Sequence, residues 1–532
     1  MTEQRDADSA VGDLLDLESC AREPIHIPGA IQPHGVLAVL REPDCTVIQV
    51  SANVVDLGVP APGALLGRSV DELLGEEAAG AIRAALERPD LPGANPLRLR
   101  ARDGDDERLW DAILHRAAGG VVLELEPAAA DDPRSVSGLY EHVRHALRRL
   151  QATDSLDDLC VTLAAEIRRL TGLDRVMVYR FDEGWNGQVV AESRAPEVDG
   201  FLGLRFPATD IPAQARELYR RNWLRLIADV DYRPAEIVPS INPDTGAPLD
   251  LSGSALRSVS PVHLEYLRNM GVGASMSVSL LRDGELWGLV ACHHRGAVLV
   301  PYDVRSACEF LGQTFSVQLA GLTDEAERAY ALELARIGGR ILDRAAGSDH
   351  WAAALVEGEP SLAALAGADG AAVWAGGRVH RSGATPADEA IAALAGWLVR
   401  RGTDLFATDR LCEVFPDAAA WRDVGSGLLA TAIGRERGEF LMWFRGEAVR
   451  TVTWAGNPAK PVEVEATGAT SAAGASPRLH PRRSFEAWSE TVRGHSLPWR
   501  AAERDAAAAI RDRIVEIVLR QADALARLNS EL

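Results

Sequence analysis

The chain has 532 residues, 47% of them hydrophobic and 25% charged, with a formal net charge of −21. That length calls for about three or four domains of ~100–200 residues each, and the apolar share is that of folded domains rather than disordered chain. The acidic balance excludes nucleic acid and anionic membrane as principal partners.

The six cysteines (Cys20, Cys45, Cys160, Cys292, Cys308 and Cys412) share no repeating spacing, no apolar run approaches a membrane span, and the start MTEQRDADSA is polar and acidic. A cytoplasmic location is expected. Lys460 is the sole lysine, in the Pro-flanked NPAKP, and no GxxxxGK[ST] run is present. A Walker-type phosphate loop is thereby excluded, and a Schiff-base enzyme would have to rely on Lys460.

In chain order, ESCAREPIHIPGAIQPHG (Glu18 to Gly35) puts a lone Cys20 ahead of a Pro-, Gly- and His-rich run. Without a CxxC companion it fits neither a zinc finger nor a disulfide framework. Pairing Cys20 with His26 or His34 as a thiol nucleophile has only sequence closeness behind it. From Thr46 to Pro127, TVIQVSANV and GGVVLELEP read as strands around a helical DELLGEEAAGAIRAALERP, a small α+β domain. AAADDPRSVSG (Ala128 to Gly138) reads as a linker. SGLYEHVRHALRRLQ then places Leu139, Val143, Ala146 and Leu150 on one stripe. DSLDDLCVTLAAEIRRLTG opens on an Asp154 cap, repeats Leu156, Leu159, Leu163, Ile167 and Leu170, and stops at Gly172. DRVMVYRFD and GQVVAES follow as strands.

In FPATDIPAQARELYRRNWLRL, Pro212 suits the first position of a helix and pushes Ile211 into an extended conformation. Asp210 is then presented on the turn outside, either as a helix cap or with its carbonyl free. Helical spacing does not put Tyr219 and Arg225 on one face. ALRSVSPVHLEYLRNMGV offers Arg257, Ser260, His263 and Tyr266, types that suit carboxylate groups. SMSVSLLRDGELWGLVACHH predicts a hairpin turning at Asp283-Gly284. One face of its first strand carries Ser275, Ser277 and Ser279, the other Met276, Val278 and Leu280. Serine faces usually meet solvent; His293 on the partner strand adds a ligand cavity as the alternative. Cys292 and His293, neighbours on a strand, face opposite ways and cannot share one metal ion.

From Pro301 to about Leu342 the spacing of Val304, Cys308, Leu311, Phe315, Leu319 and Leu322 predicts one long helix. It leads into a third domain with strands in ADGAAVWAGG, GEFLMWFRGE and VRTVTWAGN. ATGATSAAGASPRLHP reads as the tip of a long hairpin. The chain closes on Ile510, Ile514, Ile517, Gln521, Ala524 and Leu528, a coiled-coil seam expected to pair in a dimer or to continue into another module.

Taken together, ESC…IHIPGAIQPHG, FPATDIPAQAR, SPVHLEYLRNMGV, WGLVACHH and PRRSF resemble, in order, the bacterial phytochromes, red-light receptors that carry a linear tetrapyrrole. The resemblance covers essentially the whole chain as a PAS–GAF–PHY photosensory core. It implies an α+β fold of three sequential domains, each with an antiparallel sheet and helices: residues 1–130 the N-terminal segment and PAS domain, 131–320 the chromophore-binding GAF domain, 321–532 the PHY domain. The last would carry a tongue hairpin at about 438–499 and a C-terminal output helix. A long helix would join GAF to PHY, and a figure-of-eight knot would tie PAS to GAF, an exception to the rule against threading.

The implied cofactor is biliverdin IXα. In members that bind it, the thioether comes from a cysteine ahead of the PAS domain, matching Cys20. Members that attach pigment within GAF carry a cysteine where this chain has Val262. By the same resemblance the pigment-binding residues include Asp210, Ile211, Pro212 and Ser260, with the Asp210 main-chain carbonyl facing the pyrrole nitrogens. His263 would hold the pyrrole water and His293 the D-ring carbonyl. Arg225, Arg257, Tyr219, Ser275 and Ser277 would hold the propionates, and Met177, Tyr179, Phe201, Phe206 and Tyr266 would wall the D-ring. Trp454, Arg482, Ser484 and Phe485 would be the tongue's switching contacts. The implied function is red/far-red photoreception: C15=C16 isomerisation interconverts the Pr and Pfr states, and tongue refolding signals to an output module. A homodimer through the GAF and PHY helices and the C-terminal helix is expected, with no metal and no membrane or nucleic-acid partner. No histidine follows His495 and no nucleotide-binding Gly-rich motif is present, so neither a kinase nor another enzyme is expected in this chain. The competing reading is a light-independent PAS/GAF small-molecule sensor, which would not need Cys20 and His293 together.

Overall fold

The computed structural model describes residues 23–59, 61–103, 106–128, 133–434, 438–458, 462–465 and 478–531. The chain divides into two compact units, Met1–Leu322 with Thr453–Trp488, and Thr323–Val452 with Ser489–Leu532.

The first unit opens with β1 (Ala30–Ile31), β2 (Val36–Arg41) and β3 (Thr46–Ser51). The expected single helix of this domain is two, α1 (Val70–Leu74) and α2 (Glu76–Leu86), because Gly75 breaks it at φ +85°. β4 (Leu97–Asp103), β5 (Asp106–Ala117) and β6 (Gly120–Pro127) complete the sheet. Its order is β1-β11-β3-β2-β6-β5-β4, where β11 (Ala235–Val238) comes from the next domain. Strand β6 is buried on both faces, so the alternation in VVLELE does not mark a solvent side.

Helix α3 (Pro133–Gln151) starts inside the expected linker, with Pro133 where its missing N–H costs nothing. Helix α4 (Leu156–Thr171) is capped by Ser155, not by Asp154: the Ser155 hydroxyl accepts from the Asp158 N–H at 3.1 Å. Gly172 ends it at φ +68° as expected. Strands β7 (Arg175–Phe181), β8 (Gly187–Arg194) and β9 (Arg205–Phe206) follow, then α5 (Ala213–Arg221), β10 (Leu224–Ile227), α6 (Pro261–Asn269), β12 (Ala274–Arg282) and β13 (Glu285–His294). They form a sheet in the order β10-β12-β13-β7-β8-β9. The β12–β13 turn has Asp283 and Gly284 both at positive φ, as a two-residue hairpin turn requires. Met276, Val278 and Leu280 enter the core with Val176, Val178 and Cys292, which leaves the serine face of β12 on the other side.

The N-terminal segment is gripped from two flanks by one stretch of this second domain. Ala30 and Ile31 pair with Glu236 and Ala235, while Gln32 N–H donates to the Leu256 carbonyl and Ser258 N–H to that of Ala30. A knot requires such a double grip; the residues ahead of Glu23, Cys20 among them, lie outside the described ones.

Helix α7 (Tyr302–Ala346) is one uninterrupted element of 45 residues running from the first unit into the second. Its Cys308, Leu311, Phe315 and Leu319 fill the first unit's core. In the second unit, Ile341 and Ala345 of the same helix are buried with α8 (Trp351–Val356). β14 (Gly370–Ala375), β15 (Arg378–Gly383), α9 (Asp388–Arg401), β16 (Leu405–Thr408), β17 (Gly427–Gly434) and β18 (Glu439–Arg445) follow, with sheet order β15-β14-β18-β17-β16. Strand β18 is thus an inner strand of that sheet. The expected tongue, placed from about 438, begins after it with β19 (Arg450–Ala455).

The tongue arms β20 (Val462–Glu465) and β21 (Arg478–Pro481) pair antiparallel, and β22 (Ala487–Val492) follows. Residues 466–477 of the expected tip lie outside the described ones, as does Lys460. The C-terminal helix α10 (Ala501–Glu531) corrects a second expectation. Ile510, Ile514 and Ile517 are not a free dimer seam: they are buried against Leu429 and Trp443 of the unit's own sheet. The side chains of Gln521, Ala524 and Leu528 lie outside the described ones.

Candidate functional site

The serine face of β12 closes one side of two adjoining clefts in the first unit, of about 100 Å³ and 60 Å³, which share Tyr219, His263, Ser275 and Ser277. The larger is mainly apolar and the smaller holds the arginines.

At the arginine end, Arg225 donates from Nε to Ser277 Oγ at 3.1 Å and from Nη1 to Ser279 Oγ at 2.5 Å and the Asn222 carbonyl at 2.8 Å. Its guanidinium lies 4.1 Å from the centre of the Tyr219 ring. The two meet because α5 ends at Arg221 and Asn222 turns extended, so the helical spacing that kept them apart does not apply. Burial lowers the Arg225 pKa to about 10, and Arg257 is pushed down for the same reason. Arg257 Nη1 donates to the Ile25 carbonyl at 2.8 Å. Arg225 Nη2 and Arg257 Nε are buried without a partner. Two half-buried cations whose open N–H groups are themselves buried fit an anionic, hydrogen-bond-accepting ligand.

At the apolar end stand Met177, Tyr179, Phe206, Ile211, Tyr266 and Leu289. Tyr179 lies tilted against Phe206, ring centres 5.8 Å apart. A Cβ on Gly187 would sit 1.6 Å from Tyr179 Cζ, so only glycine lets that ring lie over β8. Phe201 stands behind this wall, 6.0 Å from Phe206 and under the Arg175 guanidinium. Pro212 acts as the N-cap of α5. Ser260 Oγ donates to Glu23 Oε2 at 3.0 Å.

His263 stacks on Tyr266, ring planes 11° apart. Burial lowers its pKa to about 4 and that of His293 to about 3. Both are neutral at pH 7, each with one ring N–H and one lone pair to offer. His293 Nδ1 has no partner.

Asp210, on a short turn at Ala208–Asp210, makes no capping bond to α5. Its carboxylate accepts from Tyr266 OH at 2.8 Å and from Arg482 Nη2. Burial raises its pKa to about 6, with Arg482 and Tyr266 pulling the other way. Arg482 Nη1 donates to the Ala455 carbonyl across the hairpin, its guanidinium lies 4.8 Å from the Phe485 ring centre, and its carbonyl accepts from Asn269 Nδ2 at 3.2 Å. Phe485 meets Tyr266 edge-on at 5.1 Å. Trp454 pairs with Arg205 of β9, and Ser484 Oγ accepts from the Glu486 N–H. Sequence reasoning had not assigned Ser279, Asn269 or Glu23 to the site. Only the serine periodicity could have found one of them; the other two contacts are long-range.

The chain matches the family models for the PAS fold over residues 20–128, the GAF domain over 155–321 and the phytochrome region over 334–523. Cyanobacterial phytochrome B of Nostoc sp. is 44% identical over 519 residues, 97% of this chain and 68% of that protein. A bacteriophytochrome of Pseudomonas aeruginosa is 38% identical over 524 residues, 97% of this chain and 69% of its own length. The wild-type phytochrome photosensory core module of Stigmatella aurantiaca superposes with a TM-score of 0.82 at 44% identity, covering 94% of this chain and 98% of that one. For a bacteriophytochrome from R. palustris the TM-score is 0.84 at 43% identity, with 94% and 99% covered. Three α+β domains, a long helix between the second and third, and this cleft are those of a photosensory core. The chain belongs to the phytochrome family of photoreceptors. Among the described residues no helix is long and apolar enough to cross a membrane, and no cluster of side chains could hold a metal ion.

Proposed function

We propose that this chain is a red/far-red light receptor that binds biliverdin IXα covalently through Cys20. One observation carries the reading: the cleft pairs half-buried arginines, whose unpartnered N–H groups are buried, at one end with an aromatic wall at the other. A dianionic, mostly apolar ligand needs both. The Cys20 S–H would add across a vinyl group of the pigment, sulfur to one carbon and the proton to the other, and Val262 leaves no competing thiol beside His263.

When bound, biliverdin supplies the absorption of light and the rotation about its C15=C16 bond. Arg225 and Arg257, with Tyr219, Ser275 and Ser277, would hold the propionates. The Asp210 carbonyl, with Ile211 and Pro212, would accept from the pyrrole N–H groups, His263 would hold a water for them, and His293 would bond the D-ring carbonyl. Met177, Tyr179, Phe201, Phe206 and Tyr266 would shape the space for that ring's rotation. Asp210 would exchange its Arg482 partner, and the segment bearing Trp454, Ser484 and Phe485 would refold between strand and helix, a two-state element biased by lost and gained contacts. The chain acts as a sensor rather than an enzyme and passes the change to an output module. Exposed Tyr140, Val161, Phe310 and Val317 on α3, α4 and α7 offer an apolar surface for a homodimer.

Mixing the purified chain with biliverdin should give a red-absorbing adduct that survives denaturation and photoconverts. Cys20→Ser should leave the colour and abolish the covalent link. A colourless product would sink the reading and leave the light-independent sensor in its place.

A further inference from the structure

The arginine end of the cleft has a wall that is held from another domain. Ser254 and Ala255 line it, and Arg257 follows two residues later. This limb is gripped by Glu124, a fully buried residue of β6 in the PAS sheet. Glu124 Oε2 accepts the Leu256 N–H at 2.7 Å and Oε1 the Ala255 N–H at 3.3 Å. On the limb's other edge the Leu256 carbonyl accepts from Gln32 N–H, and Ile31 bridges to Arg257. The limb therefore lies between a PAS strand and the N-terminal segment.

A histidine stands beside Glu124. His115 Nδ1, on β5, is 3.7 Å from Glu124 Oε1 and is otherwise unpartnered, while its Nε2 faces Ser254 Oγ at 3.5 Å. The His115 ring also backs Gly253, where a Cβ would meet it at 3.1 Å. Burial raises the Glu124 pKa to about 8 and lowers that of His115 to about 4. Near neutral pH the pair is a carboxylic acid beside a neutral imidazole. The charges facing it are Glu126 on the same strand, Arg305 on α7, and Asp250 on the His115 side.

We propose that Glu124 and His115 are positioning residues of the pigment pocket, fixing from the PAS sheet the limb that seats Arg257. The assignment rests on the pigment reading of the cleft. A carboxyl whose folded pKa is raised contributes stability at low pH that is lost as pH rises through that value. That contribution is fully present below the ordinary value of 4.5 and is lost as pH rises to about 8, because the buried carboxylate, though its backbone N–H bonds favour it, costs more than the acid.

The test uses the full chain, with and without biliverdin, and follows two signals from pH 6 to 9.5. One is the long-wavelength absorption band. The other is amide exchange in the peptide spanning 250–260, read against a control peptide from β12. In the parent the absorption band should shift with a midpoint near pH 8, while exchange at 250–260 should rise over the control from pH 6 and level off above about 8. Glu124→Gln keeps an acceptor for the backbone but cannot ionise, so both signals should be flat. Glu124→Ala should exchange faster at every pH and bind biliverdin at least tenfold more weakly. A Glu124→Gln chain that titrates like the parent overturns the proposal, as does a Glu124→Ala chain with parental exchange. A parent that takes up no biliverdin defeats the pigment reading alone, because the pigment-free exchange still decides whether Glu124 holds the limb.

Discussion

Among the buried arginine–carboxylate pairs of the described residues, one in each unit shows how differently such pairs can be built. In the second unit Arg445 Nη2 meets Glu503 Oε1 at 2.8 Å. Arg445 also donates to the carbonyls of Ala366 and Pro498, each at 2.8 Å, and lies 4.0 Å from the Trp499 ring centre. Glu503 takes the Tyr330 hydroxyl at 2.9 Å and reaches back to the Arg500 N–H at 2.8 Å, closing the first turn of α10. In the first unit Arg482 meets Asp210, yet Arg482 Nε is buried without a partner and the Asp210 carboxyl is lifted to about 6. A buried ion pair is stable when its remaining donors and acceptors are filled. The PHY pair meets that condition and reads as a fixture. The Arg482 pair does not, which suits the exchange proposed for it.

The largest way to break this comparison is Arg445→Ala. Stranding Glu503 in the core should cost the second unit about 3–5 kcal/mol, seen as exchange of β17 and β18 at much lower denaturant. Equal effects from Arg445→Ala and Arg482→Ala would erase the distinction. Next is pH. Because the Asp210 pKa is raised, its contribution to stability is present below its ordinary value of 3.8 and lost as pH climbs through about 6. The loss should approach about 3 kcal/mol, and Asp210→Asn should lack it in parallel unfolding curves. Arg482→Ala should cost less than Arg445→Ala, about 2 kcal/mol, because Asp210 can take up a proton when its partner is gone. Exchange in the 478–488 peptide would report it. The smallest and sharpest comparison is between two hydroxyl deletions. Tyr266→Phe should raise the Asp210 pKa further, since its O–H stabilises the charged form. Tyr330→Phe should cost about 1 kcal/mol without changing any titration near neutral pH.

Much of this was legible before any coordinates. The period of two around Asp283-Gly284 fixed a hairpin and both of its faces, and the spacing from Val304 to Leu322 fixed a helix that continues to Ala346. Asp210, His263 and His293 lie within quoted motifs, and the fold brings them to one cleft. What a pattern faces is harder to read from sequence. The stripe Ile510, Ile514, Ile517 looks the same whether it meets a second copy or its own sheet, and here it meets its own sheet. Glu124 alternates with leucines as a solvent-facing residue would, but β6 is covered on both sides. The Tyr219–Arg225 contact depended on where α5 stops, and helix ends are the least certain feature of a periodic pattern.

The Arg482 side chain has a consequence for how the tongue would let go. One guanidinium nitrogen is committed to Asp210 and another to the Ala455 carbonyl of the opposite arm. Withdrawing that single side chain breaks one bond to the cleft and one bond between the arms in the same event, while the β20–β21 pairing and the Phe485–Tyr266 contact stay in place. These two bonds would therefore be lost together, like a catch rather than a dimmer.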